Sequence, residues 1–175
     1  VTVYPMFRRY AKWSQVWPIL LPSCVGILVG YGVLSAMDNL MARRSIGWII
    51  LLMLGLQIVR TYQQAFLKRL PDSTWFRWVS GWVIGVSTML ANAAGPVYAI
   101  YALVHQMPKE RFLGIGARCF LLINVIKLPF MTDLQIIHAH SLLLDLTLLP
   151  GIFAGIYLGK RLIDRIPQKA FECLL

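Results

Sequence analysis

Trp78-Val-Ser-Gly-Trp-Val-Ile-Gly-Val-Ser-Thr-Met-Leu-Ala-Asn-Ala-Ala-Gly-Pro-Val-Tyr-Ala-Ile-Tyr-Ala-Leu-Val104 runs for 27 residues without a formal charge. As one helix it would rise roughly 40 Å, more than the ~30 Å hydrocarbon core of a bilayer requires. Ala93-Ala94-Gly95-Pro96 interrupts it. Proline has no N–H and clashes with the preceding turn, and glycine relieves the backbone, so a helix should break there. In hydrocarbon such a break survives only when buried in protein or lining a wet cavity. The stretch therefore reads as a broken or re-entrant membrane helix.

The rest of the chain agrees. Of 175 residues, 58% are apolar and 14% charged, and the mean hydropathy is +0.67. Soluble domains sit near 45–50% apolar and about 25% charged, so the composition is that of a membrane protein. Val16 to Met37 carries no charge. Ser45 to Val59 is shorter, bounded by Arg43, Arg44 and Arg60, and extends through Phe66 if Arg60 snorkels. Phe112 to Ile126 is broken only by Arg118, and Leu134 to Leu158 only by two histidines and Asp145. With the quoted stretch these make five hydrophobic segments, an all-α polytopic bundle. Trp13 and Trp17, and again Trp75, Trp78 and Trp82, mark entry points as interfacial aromatics do. Leu70-Pro71-Asp72-Ser73 reads as a turn, Met107-Pro108-Lys109-Glu110 as a helix start, and Pro129 as the end of the fourth segment near Lys127.

The net charge of +10 does not require nucleic acid, because membrane proteins use such charges to set orientation. If every segment crosses, the cations divide evenly between the two faces. If the third segment dips in and returns, only Arg43, Arg44 and Lys127 remain on one side. The positive-inside rule favours the re-entrant form, with the Arg8–Lys12 end cytoplasmic. Cys24, Cys119 and Cys173 form no C-x-x-C pair, and the chain carries no P-loop and no H-E-x-x-H helix. Nucleotide-driven pumping and zinc proteolysis are thereby disfavoured, and no cofactor or metal is expected.

Two constellations could carry chemistry. A helix restarting at Pro96 would turn the N–H groups of Val97, Tyr98 and Ala99 and its positive dipole end toward an anion. Thr88 and Asn92, one turn apart, would add neutral donors. The competing reading is a plain kink whose small residues let a neighbouring helix approach. The second constellation is Asn124-Val-Ile-Lys127-Leu-Pro129, with Asn124 and Lys127 on one side of a helix. Lys127 is either an intramembrane functional charge or a lysine snorkelling at the far interface. Arg118, about 180° around that helix, is either a second pathway charge or a contact to Asp145. Asp145 could carry a coupling proton or pair with Arg118. His138 and His140 read as interfacial.

Thr88-Met-Leu-Ala-Asn-Ala-Ala-Gly-Pro-Val97, Tyr101, Met107-Pro-Lys-Glu-Arg-Phe112-x-Gly114 and Phe120-Leu-Leu-Ile-Asn-Val-Ile-Lys-Leu-Pro129 resemble, in order and spacing, the C-terminal half of the sulfite exporter TauE/SafE family. Leu149-Pro150-Gly151, Gly155-x-x-x-Gly159 and Phe171 look like it too. Ile115, where the family usually has Thr, and Arg118, where it is usually apolar or aromatic, depart from the pattern. The resemblance implies a multi-pass inner-membrane permease, here a single partial domain over 1–175 expected to be truncated at both ends. It would move sulfite, sulfonates or other small anions by secondary transport through a site near the bilayer midplane. That site would be lined by Thr88, Asn92, Gly95, Pro96, Tyr101, Asn124 and Lys127, with Asp145 and Arg118 as weaker candidates for proton coupling. Its partners are the bilayer and a small anion, and a homo-oligomer stays open. The alternatives are a non-transporting membrane subunit or scaffold and, with no paired carboxylates or nucleophile to support it, a membrane-embedded enzyme.

Overall fold

The computed structural model describes residues 12–67, 69–71, 73–137 and 139–165, and their side chains except at 139–146, 160 and 163–165. Over these residues the chain forms α1 (Trp13–Ser35), α2 (Asn39–Tyr62), the single turn α3 (Gln64–Leu67), α4 (Thr74–Ala91), α5 (Gly95–Val104), α6 (Lys109–Asp133) and α7 (Ala139–Arg165). α1, α2 and α6 are each long and apolar enough to cross a membrane, and α7 contains the shorter apolar stretch Thr147–Gly159. The protein is a helical membrane bundle.

Local chemistry fixes the helix starts. The Asp38 carboxylate accepts the Met41 N–H at 2.6 Å and caps α2, which satisfies one of the donors a helix start leaves open. This cap starts the helix at Asn39, so Arg43 and Arg44 lie within it rather than bounding it at Ser45. α2 continues through Arg60, whose side chain is 5% exposed and turns into the protein instead of snorkelling. Ser73 caps α4 by accepting the Phe76 N–H at 3.1 Å. α6 does not stop near Lys127 as Pro129 suggested; it runs through Pro129 to Asp133. The last turn is held from outside, by the Tyr31 hydroxyl donating to Asp133 at 2.5 Å and the Tyr31 ring lying 5.0 Å from Phe130.

The most extensive pairing is α1 against α4, and small residues make it. A Cβ added at Gly85 would lie 2.1 Å from the Ser23 carbonyl oxygen, and one at Gly26 2.2 Å from that of Trp82. Gly81 gives room to Pro22 and the Ile19 carbonyl, and Gly30 to Met89. Bilayer helices associate through such close contact, because lipid leaves no hydrophobic force between them. The Ser23 hydroxyl, fully buried, sits 2.8 Å from the Ile19 carbonyl and 2.9 Å from that of Gly81 across the crossing. Residue numbers rise together along both partners, Pro22 with Gly81 and Gly30 with Met89, so α1 and α4 run parallel.

α5 then returns. At one end of the bundle Ser14 and Pro18 of α1, Arg77 of α4, Tyr101 and His105 at the end of α5 and Arg111 of α6 surround one cavity. The Tyr101 ring stacks with Phe76, near the start of α4, at 6.4 Å. At the opposite end Leu34 to Asn39, Met89 to Asn92 and Met131 to Ile136 meet around another. α4 and α5 are thus a hairpin that enters and leaves at the same end. Ten residues of α5 rise about 15 Å, half a bilayer core, so α5 does not cross alone. Lys109 and Arg111 consequently share an end with Lys12, Arg60 and Arg77, while Arg43 and Arg44 mark the other. The positive-inside rule makes the first end cytoplasmic.

Candidate functional site

The hairpin's tip is built by Asn92. α4 ends at Ala91, and Asn92 takes the left-handed conformation (φ 52°, ψ 32°). Its N–H donates to the Thr88 carbonyl at 3.1 Å, and the Ala93 N–H to that of Ser87 at 3.3 Å, closing the helix end. Among residues other than glycine, asparagine tolerates this backbone best. The interruption therefore falls over Asn92–Ala94, just ahead of Gly95 and Pro96, which open α5 instead of breaking a helix. Gly95 needs no unusual backbone; the positive-φ residues in the described chain are Asn92, Gln106 and Gln135. All three are amides, and each follows a helix end. Pro96 takes a first-turn position, where its missing N–H costs nothing.

α5's first turn is narrower as an anion cradle than the spacing suggested. The Tyr98 N–H already donates to the Ala94 carbonyl at 3.1 Å, and Ala99 lies a residue further into the helix, which leaves Ala94, Gly95 and Val97 as first-turn donors.

A buried lysine meets this tip. Lys127, on α6, is 8% exposed, and its ammonium lies 2.7 Å from Asn92 Oδ1, 3.3 Å from the Thr88 carbonyl and 3.4 Å from Thr88 Oγ1. Thr88 Oγ1 is itself 3.5 Å from Asn92 Oδ1. Three N–H donors face three oxygens, all uncharged. The ammonium also stands at the C-terminus of α4, where the helix dipole is negative. Lys127 thus turns inward rather than snorkelling to lipid. It lies six residues, about 9 Å, from the end of α6, so the tip sits in the far third of the bundle and not at its midplane. Beside it Asn92 lines a cavity of about 560 Å³ that also carries Arg43.

Thr88, Asn92, Gly95, Pro96 and Lys127 are therefore gathered at one tip. Asn124 is not. Three residues on a helix differ by about 60° in direction, which turns Lys127 toward α4 and leaves Asn124 exposed in a largely apolar cavity of about 870 Å³ between α6 and α7. Tyr101 is at the other end, its buried ring between Phe76 and His105. Arg118 is 7% exposed, with its guanidinium 4.8 Å above the Trp13 ring, a cation–π contact at the cytoplasmic end. The side chains of Asp145 and His140, and all of His138, lie outside the described residues. Arg43, Arg77, His105 and Arg111, which line the two end cavities, were not among the residues expected to form a site. The signal was present in part, because Arg77 and Arg111 flank the long uncharged stretch on both sides.

The family model of the Sulfite exporter TauE/SafE matches residues 1–175. The chain belongs to this family. A relative named "Probable inner membrane transporter protein TsaS", from Comamonas testosteroni, is 28% identical over 168 residues, spanning 94% of this chain and 67% of its own length. No solved structure matches. This TauE/SafE chain is accordingly a membrane transporter by family, with apolar helices suited to a multi-pass arrangement.

Proposed function

We propose that this TauE/SafE chain moves small anions, sulfite or organosulfonates, across the bacterial inner membrane by secondary transport, with the tip of the α4–α5 hairpin as its binding site. One observation carries the reading: the buried Lys127 ammonium has only neutral oxygens for partners. A charge removed from water without a counter-ion is costly. An arriving anion supplies that counter-charge, and the adjacent first turn of α5 adds N–H donors of the same polarity. The far cavity with Arg43 gives an approach to the tip. Asp145 and Arg118 remain candidates for proton coupling; they belong to the proposal, and the Lys127 argument does not depend on them.

Flux of sulfite into liposomes holding the purified chain tests this. Lys127→Met removes the charge while keeping an unbranched chain, and is expected to reduce uptake at least tenfold. Lys127→Arg is expected to keep part of it. Uptake unchanged in Lys127→Met refutes the site, and no uptake with any small anion favours a non-transporting subunit.

A further inference from the structure

We propose that the cavity at the cytoplasmic end is a second oxyanion site, separate from the hairpin tip. It holds about 230 Å³ and is bounded by Arg77 of α4, Arg111 and Ile115 of α6, His105 beyond α5, and Ser14 and Gln15 of α1. Four separate stretches of chain thus bring two guanidinium groups, an imidazole, a hydroxyl and an amide to one space. None of the residues lining it is acidic.

The arrangement continues inward. Arg111, Ile115 and Arg118 are spaced four and three apart, which places them on one face of α6. Arg118 is buried one turn deeper and is held over Trp13, the first residue of α1 and the neighbour of Ser14. The floor of the cavity therefore adjoins a third guanidinium. Side chains on a helix lean toward its N-terminus, so Arg118 leans from its depth toward this same end. Glu110, beside Arg111 in sequence, pairs with Lys109 at 3.8 Å.

Cations gathered with a low-dielectric wall on one side repel one another unless an anion sits among them. Guanidinium offers a planar fork of donors that matches an oxyanion edge, so the ligand class is a sulfite, sulfonate or phosphate group rather than a halide. Size agrees. At about 30 Å³ per water the space equals roughly seven waters, enough for a tetrahedral oxyanion with part of its hydration shell and too small for an acyl chain. That oxyanion is either free in solution or the phosphate of a lipid headgroup at the cytoplasmic surface. On the transport reading the site is the inner station of the path whose outer station is Lys127. This role rests on that reading; binding itself does not.

Equilibrium binding of radiolabelled sulfite to the purified chain in phosphatidylcholine nanodiscs tests the proposal, because it needs no flux. Arg77→Gln with Arg111→Gln is expected to weaken one class of site about tenfold, while Lys127→Met leaves that class unchanged. Ser14→Leu, which fills the space without touching a charge, is expected to weaken the same class. In phosphatidylglycerol nanodiscs the wild-type site stays available if its occupant is a free anion, and is masked from sulfite if its occupant is the lipid phosphate. Sulfite binding equal to wild type in both the double variant and Ser14→Leu, with no difference between the two lipids, overturns the proposal. Retained binding at this end with no flux in liposomes removes the transport reading and leaves this site standing.

Discussion

Lys127 finds three oxygens for its three donors, and each arrived by a different route. Thr88 offers a carbonyl released by the helix end and a hydroxyl, while Asn92 offers its amide because its backbone has turned left-handed. Asn92 therefore does two jobs that substitutions can separate. Asn92→Gly keeps the backbone and removes the amide, so the fold should hold while uptake falls. Asn92→Leu adds the strain of a β-carbon in that backbone, about 1–2 kcal/mol, and should lower the melting temperature as well. Thermal unfolding beside uptake for the two variants checks this, and equal melting temperatures would remove the backbone role. Pro96→Ala, at a first-turn position, should affect uptake far less than either. The amide and the lysine stood out in the sequence as polar groups in a greasy stretch. Their partnership did not, because it joins α4 to α6 across 35 residues.

At the scale of elements, the α1–α4 crossing is the part least able to absorb change. Gly85→Val or Gly26→Val would drive a side chain into backbone 2.1–2.2 Å from its first carbon, and backbone cannot swing aside as a flexible side chain can. Either variant should fail to give a monodisperse peak on size-exclusion chromatography in detergent. Gly55→Val, where nothing lies within 4 Å, should behave as wild type. Ser23→Ala is the milder probe. Membrane hydrogen bonds between helices average about 0.6 kcal/mol, so a small fall in melting temperature is expected. The sequence showed the helices themselves because apolar length and cap residues are local properties. It misplaced the ends of α2 and α6, where Asp38 and the Tyr31–Asp133 bond overrode the nearby arginines and proline.

For the whole molecule the decisive feature is that α4 and α5 form a hairpin, entering and leaving at one end. Cysteines introduced at Asn39 and at Gln106, in a background lacking the native ones, should react with membrane-impermeant reagent from opposite faces. Labelling of both from the same face would mean that the third segment crosses. The sequence alone determined that this is a multi-pass helical membrane protein, that its third segment is interrupted, and that its cations sort by side once the interruption is allowed. Those conclusions rest on composition, hydropathy and run length, which add up along the chain. Only the tertiary structure decided that Lys127 points at the tip while Asn124 points away, that Tyr101 belongs to the opposite end, and that Arg77, His105 and Arg111 meet around one cavity. Each of these depends on the rotation and depth at which one helix meets another. The small-residue contacts of the folded bundle set those quantities, and residue spacing within a single helix does not contain them.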